Sequence, residues 1–101
     1  MTHEIVSELN DLALRLLNRE VDFDLQDDII AIESKLLDIK HFAGCLLLSK
    51  LSLMHMAELG IVNAADPKIN GMLRKVSVKS SLDFAPLVTK LALHIRDTAE
   101  G

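Results

Sequence analysis

From Thr2 onward the apolar residues Ile5, Val6, Leu9, Leu12, Ala13, Leu16 and Leu17 return at helical steps of three and four, with Glu8, Asp11, Arg15, Asn18 and Arg19 largely opposite. This spacing predicts an amphipathic helix capped by Thr2. Asp11 stands four residues before Arg15, the favourable order for a surface ion pair. The short connection from Val21 to Phe23 predicts that the next helix folds back antiparallel on the first, with Phe23 closing the corner.

The longest pattern follows. Leu25, Ile29, Ile32, Leu36, Ile39, Ala43, Leu46, Leu53 and Ala57 alternate steps of four and three from Asp24 to Leu59, with Lys50 alone interrupting. Asp24 is placed to cap this stripe, Asp27 and Asp28 sit where the helix dipole favours negative charge, and Gly60 offers a left-handed stop. A straight helix over that span would be about 54 Å long, far beyond the width of a small domain. It must therefore break, near the run His41, Phe42, Ala43, Gly44, or share its second half with another subunit.

The two halves of the stripe differ. Up to Lys40 one face is wet, carrying Asp27, Glu33, Lys35, Asp38 and Lys40, whereas from Phe42 to Leu59 apolar residues point almost every way and only Lys50 and Glu58 are charged. A helix apolar all round is normally buried all round. Leu47, Leu48, Leu51 and Met54 are accordingly expected at a homodimer interface.

Asp66 followed by Pro67 marks the start of a short third helix, weakened by Gly71, Ser77 and Val78, with Lys68, Arg74, Lys75 and Lys79 as a basic exterior. A fourth helix, capped by Asp83 and tolerating Pro86 in its first turn, carries Leu87, Val88, Leu91, Ala92 and Ile95 and ends near Thr98.

Composition narrows the reading. The 101 residues fit one domain, 1–101, and a hydrophobic fraction of 50% with three Phe and no Trp or Tyr predicts an aliphatic core. One cysteine, Cys45, excludes an internal disulfide and suits a reducing, cytoplasmic compartment. The N-terminal residues lack the apolar run of a secretory signal, and Lys50, His55 and Glu58 argue against a membrane span over Phe42 to Val62. Charge is uneven: residues 1–66 hold five basic and twelve acidic groups, net −7, and residues 67–101 hold six and three, net +3, summing to −4. Either the two parts face each other within one fold or dimer, or the last third, through Lys68, Arg74, Lys75 and Lys79, offers an electropositive partner-binding surface.

Candidate chemistry is sparse. Asp38, His41 and Cys45 would lie within about 60° of one another on one continuous helix, a spacing compatible with a metal or thiol site. His55 and Glu58 stand one turn apart, in the reverse order of di-iron motifs and without the additional carboxylates such sites need. Ser49 and Ser52 have no evident base, and the glycines form no phosphate-cradling pattern. No cofactor or resident metal is expected.

The sequence is thus read as an all-α protein of four helices, the second long or kinked, forming a homodimeric helical bundle. The expected function is non-catalytic: a small interaction or regulatory protein that self-associates and binds a protein partner. A nucleic-acid-associated regulator using the basic third helix, or a metal or thiol site at Asp38, His41 and Cys45, are the alternatives.

Overall fold

The computed structural model describes residues 2–63, 65–74 and 78–100. Five α-helices occur among the described residues, and no strand: α1 (Thr2–Leu17), α2 (Phe23–Asp38), α3 (Phe42–Leu59), α4 (Pro67–Arg74) and α5 (Ala85–Glu100), with a 3-10 turn at Ser81–Phe84 leading into the last. α1 packs most extensively on α5 and α2 on α3, and a smaller α1–α2 contact joins the two pairs. The radius of gyration is 13.2 Å, close to the ~13 Å usual for 100 residues.

The expected single helix from Asp24 to Leu59 is two helices. α2 closes with Lys40 N–H bonded to Leu37 C=O and His41 N–H to Leu36 C=O, both at 2.9 Å, while Lys40 sits at φ 58°. This is the hydrogen-bond pattern that ends helices on a left-handed residue. α1 ends the same way on Arg19 (φ 60°) and α3 on Gly60 (φ 80°). The break therefore falls before the expected glycine, because backbone pairing at Leu36 and Leu37 lets a lysine adopt a conformation that normally costs it about 1–2 kcal/mol.

That reversal also resets the phase of the apolar stripe. Leu25, Ile29, Ile32 and Leu36 are buried as the periodicity predicts, but in α3 the buried positions are Gly44, Leu48, Leu51, Ser52, Met54 and His55. Ala43 and Leu46, which continued the stripe on paper, face solvent. Gly44 lies inside the helix where α3 meets its neighbours: a Cβ there would stand 3.2 Å from Leu91 Cδ1 and 3.3 Å from Leu36 Cδ1.

The caps differ from expectation in detail. Asp22, not Asp24, caps α2, its carboxylate accepting from Leu25 N–H at 2.7 Å. Phe23 consequently starts the helix and is 64% exposed instead of closing the corner. Asp66 does precede α4 as expected and accepts from Lys68 N–H. Asp83 lies in the 3-10 turn and accepts from Lys79 N–H, so α5 begins after it at Ala85. Phe84 in that turn is fully buried, in the same core cluster as Ile5, Leu9, Leu48 and Val88.

Two ion-pair clusters clamp α1 antiparallel to α2. Arg15 pairs with Glu20 at 2.8 Å and with Asp28, in place of the expected Asp11. Lys35 pairs with Glu8 at 2.5 Å and Glu4 at 3.3 Å. These carboxylates hold both cations more firmly protonated than usual, chiefly through the hydrogen bonds that Glu20 and Glu8 accept from Arg15 and Lys35 respectively. No ion pair among the described residues joins residues 1–66 to residues 67–101, so the charge asymmetry is not neutralised by direct pairing there.

Candidate interaction site

The turn at Lys40 decides what the polar residues of α2 and α3 do. Asp38 is the last residue of α2, whereas His41 caps α3 by accepting from Gly44 N–H at its Nδ1, 3.0 Å away, and Cys45 lies half-buried in the first turn. Asp38 is therefore parted from His41 and Cys45, which stay together at the start of α3, and the three do not share one helical face. Among the described residues no group of three or more His, Cys, Asp or Glu side chains is arranged to hold a metal ion. His41 instead meets His94 of α5 edge to face, ring centroids 5.7 Å apart.

His55 and Glu58 also part ways. The imidazole is fully buried and its Nδ1 donates to Gln26 Oε1 at 2.7 Å, while Gln26 Nε2 donates to Ser52 Oγ at 2.7 Å. Nε2 of His55 has no partner among the described residues. Burial holds the histidine below its ordinary proton affinity, and the charges of Glu58 and Asp22 offset only part of that. Glu58 is exposed and accepts from Ser81 N–H at 3.3 Å, tying α3 to the 3-10 turn. The periodicity had no way to flag Gln26 as a core residue. A glutamine within an apolar stripe at the α2 start was the available sign, since a buried amide needs partners.

The expected dimer surface is largely consumed inside one chain. Leu48 and Leu51 are fully buried and Met54 is 7% exposed, all three in the chain's own core, so of the expected set only Leu47 keeps partial exposure. Other residues take the outside. On α3 the outward positions Phe42, Leu46, Ser49, Leu53 and Met56 recur at steps of four, three, four and three. Phe42 is 64% and Leu46 57% exposed. On α2, Phe23, Ile30 and Leu37 repeat every seven residues along an exposed ridge.

Between these elements lies a trough of about 440 Å³. Its floor is Leu46, Ser49, Leu53 and Met56 of α3, with Glu33 of α2 on one side and Met72 and Leu73 of α4 on the other. Ser49 Oγ donates to Glu33 at 2.6 Å, and Lys50 and Ser52 complete the lining. α3 is the described helix apolar and long enough to cross a membrane, with mean hydropathy 1.3 over 18 residues. One side of it forms core and the other this trough, which accounts for its apolar character all round.

The expected basic residues lie on or near α4. Lys68, Arg74 and Lys79 are exposed on or just after α4, and Lys75 lies outside the described residues. Arg74 and Lys79 border a second, open depression with Met54, Glu58 and Leu73.

Comparison with known proteins finds no match: no family model, no curated protein and no solved structure is similar to the chain.

Proposed function

We propose that the chain is a non-catalytic helical interaction protein that self-associates and holds a protein partner. One observation carries this reading: α3 carries an apolar trough floored by Leu46, Leu53 and Met56, and Ile30, Leu37 and Phe42 are exposed on α2 and at the start of α3. Contiguous apolar surface of this kind marks sites of association. The reading replaces the sequence-based interface residues Leu48, Leu51 and Met54, which form core, with the outward face of the same helix. The exposed Lys68, Arg74 and Lys79 add an electropositive surface for an acidic partner, and the single cysteine suits a reducing, cytoplasmic setting.

The native molar mass across a dilution series tests self-association. Twice 11.2 kDa, persisting on dilution, is the expected result, and a chain that stays monomeric at high concentration withdraws it. The partner surface is tested separately by titrating an acidic peptide and duplex DNA against the chain at low salt. Binding of the peptide that is lost in Arg74→Glu supports the protein-partner reading, whereas salt-sensitive binding of DNA alone transfers the surface to nucleic acid.

A further inference from the structure

Resting on the self-association reading, we propose that the trough over α3 receives a second copy of this chain. The α2 ridge of each copy lies in the other's trough, and Glu33 of each pairs with the partner's Lys50.

Three observations select this occupant. The first is the placement of charge. Ser49 turns toward α2, where it is bonded to Glu33, and Lys50 follows one residue later, about 1.5 Å along the axis and about 100° round it, on the flank of Met72 and Leu73. Leu46 and Leu53 lie between the two flanks. An acid and a base thus stand at one level on opposite sides of an apolar floor, and neither forms an ion pair among the described residues.

The second is symmetry. A half-turn about an axis running along the trough preserves level and exchanges flanks. It therefore sets the acid of each copy against the base of the other, twice, as a self-complementary two-fold interface requires. Complementary charge across an interface fixes register and rejects other arrangements.

The third is the apolar surface beside Glu33. Ile30 and Leu37, three residues before and four after it, are exposed on the same ridge. Because α2 runs antiparallel to α3 in the register set by Glu33 and Ser49, the half-turn carries the partner's Leu37 toward Leu46 and the partner's Ile30 toward Leu53. Ridges then enter grooves, as in ordinary helix packing. A small apolar ligand in the trough would leave Ile30 and Leu37 in water, whereas a second copy covers them together with the floor.

The test uses the full chain in sedimentation velocity from about 1 μM to about 1 mM, with Glu33→Lys, Lys50→Glu, the double exchange and an equimolar mixture of the two single variants. Helicity and thermal midpoint are recorded for each. The expected result is a dimer whose dissociation constant rises at least about tenfold in either single variant, and more at low salt. The double exchange and the mixture recover it, since both restore Lys–Glu pairs. Should Glu33→Lys fail to fold, Lys50→Glu against Lys50→Met gives the same reading, the acid weakening the dimer more than the neutral side chain. A dimer unmoved by these exchanges but broken by Leu14→Glu on α1 overturns the assigned face and leaves self-association standing. A monomer at every concentration overturns both and gives the trough to another occupant.

Discussion

Gln26 on α2 and His55 on α3 meet at the centre of the fold with Oε1 and Nδ1 2.7 Å apart, and the far ring nitrogen of His55 has no partner among the described residues. With Gln26 donating onward to Ser52, the imidazole carries its single proton on Nδ1 and stays neutral. The core thus holds a three-member polar relay with one open end.

That open end makes stability depend on pH. Burial depresses the proton affinity of His55 in the folded chain, whereas the unfolded chain titrates near 6.5. Below about pH 6.5 the unfolded state binds the extra proton, so the contribution of this group is complete above that pH and is lost as pH falls. Urea unfolding between pH 5 and 8 should show the midpoint declining below about 6.5. His55→Asn should flatten that part of the profile, and an equal slope in both proteins would assign it to other groups.

Removing the middle of the relay is expected to cost more than removing its end. Gln26→Leu deprives both His55 Nδ1 and Ser52 Oγ of their buried partner, a loss of about 2–4 kcal/mol for two unsatisfied groups. The double variant Gln26→Leu/His55→Leu leaves fewer orphaned groups and should recover part of it. Chemical denaturation of the wild type, Gln26→Leu, His55→Leu and the double variant measures the coupling directly.

Gly44→Ala sets helix propensity against packing. Alanine gains about 1 kcal/mol within a helix, but its Cβ would stand 2.8 Å from His41 Nδ1 and press on Leu91 and Leu36. Displacing the imidazole also gives up the cap on Gly44 N–H. Overpacking and cap loss together cost about 2–3 kcal/mol, so the net expectation is destabilisation by about 1–2 kcal/mol. A higher urea midpoint in the variant would show that His41 yields freely.

Lys40→Gly should act in the opposite direction. The left-handed conformation at φ 58° costs a lysine about 1–2 kcal/mol, and the added freedom of glycine when unfolded returns about half of that. A gain of about 0.5 kcal/mol in folding stability, with unchanged helicity, is the expected reading. A loss would mean that the lysine side chain itself holds the turn.

The same turn explains how far the fold was legible. α1, α4 and α5 are evident from spacing and from Asp66–Pro67, because their periodicity and start signals are local. The α2–α3 break is hidden, since its left-handed residue is a lysine and the apolar steps run on across it as though the helix were continuous. The expectations that carried the stripe's phase across Lys40 into α3 therefore turned to the wrong side: Leu48 and Leu51 went to the core, Leu46 to solvent, and Asp38 was parted from His41 and Cys45. The relay of Gln26, Ser52 and His55 was equally hidden, because it joins residues 26 and 29 positions apart that only the reversal brings together.

The pairing of α1 with α5 has a consequence for how the molecule comes into being. α2 and α3 adjoin through a three-residue turn and can associate as soon as both have been made, but α1 finds its largest partner only in α5, made after the other four described helices. Until then Ile5, Leu9, Leu12 and Leu16 have no complete cover. A chain stopped short of Ala85 would keep that strip open, so α5 acts as the closure for which α1 has been waiting.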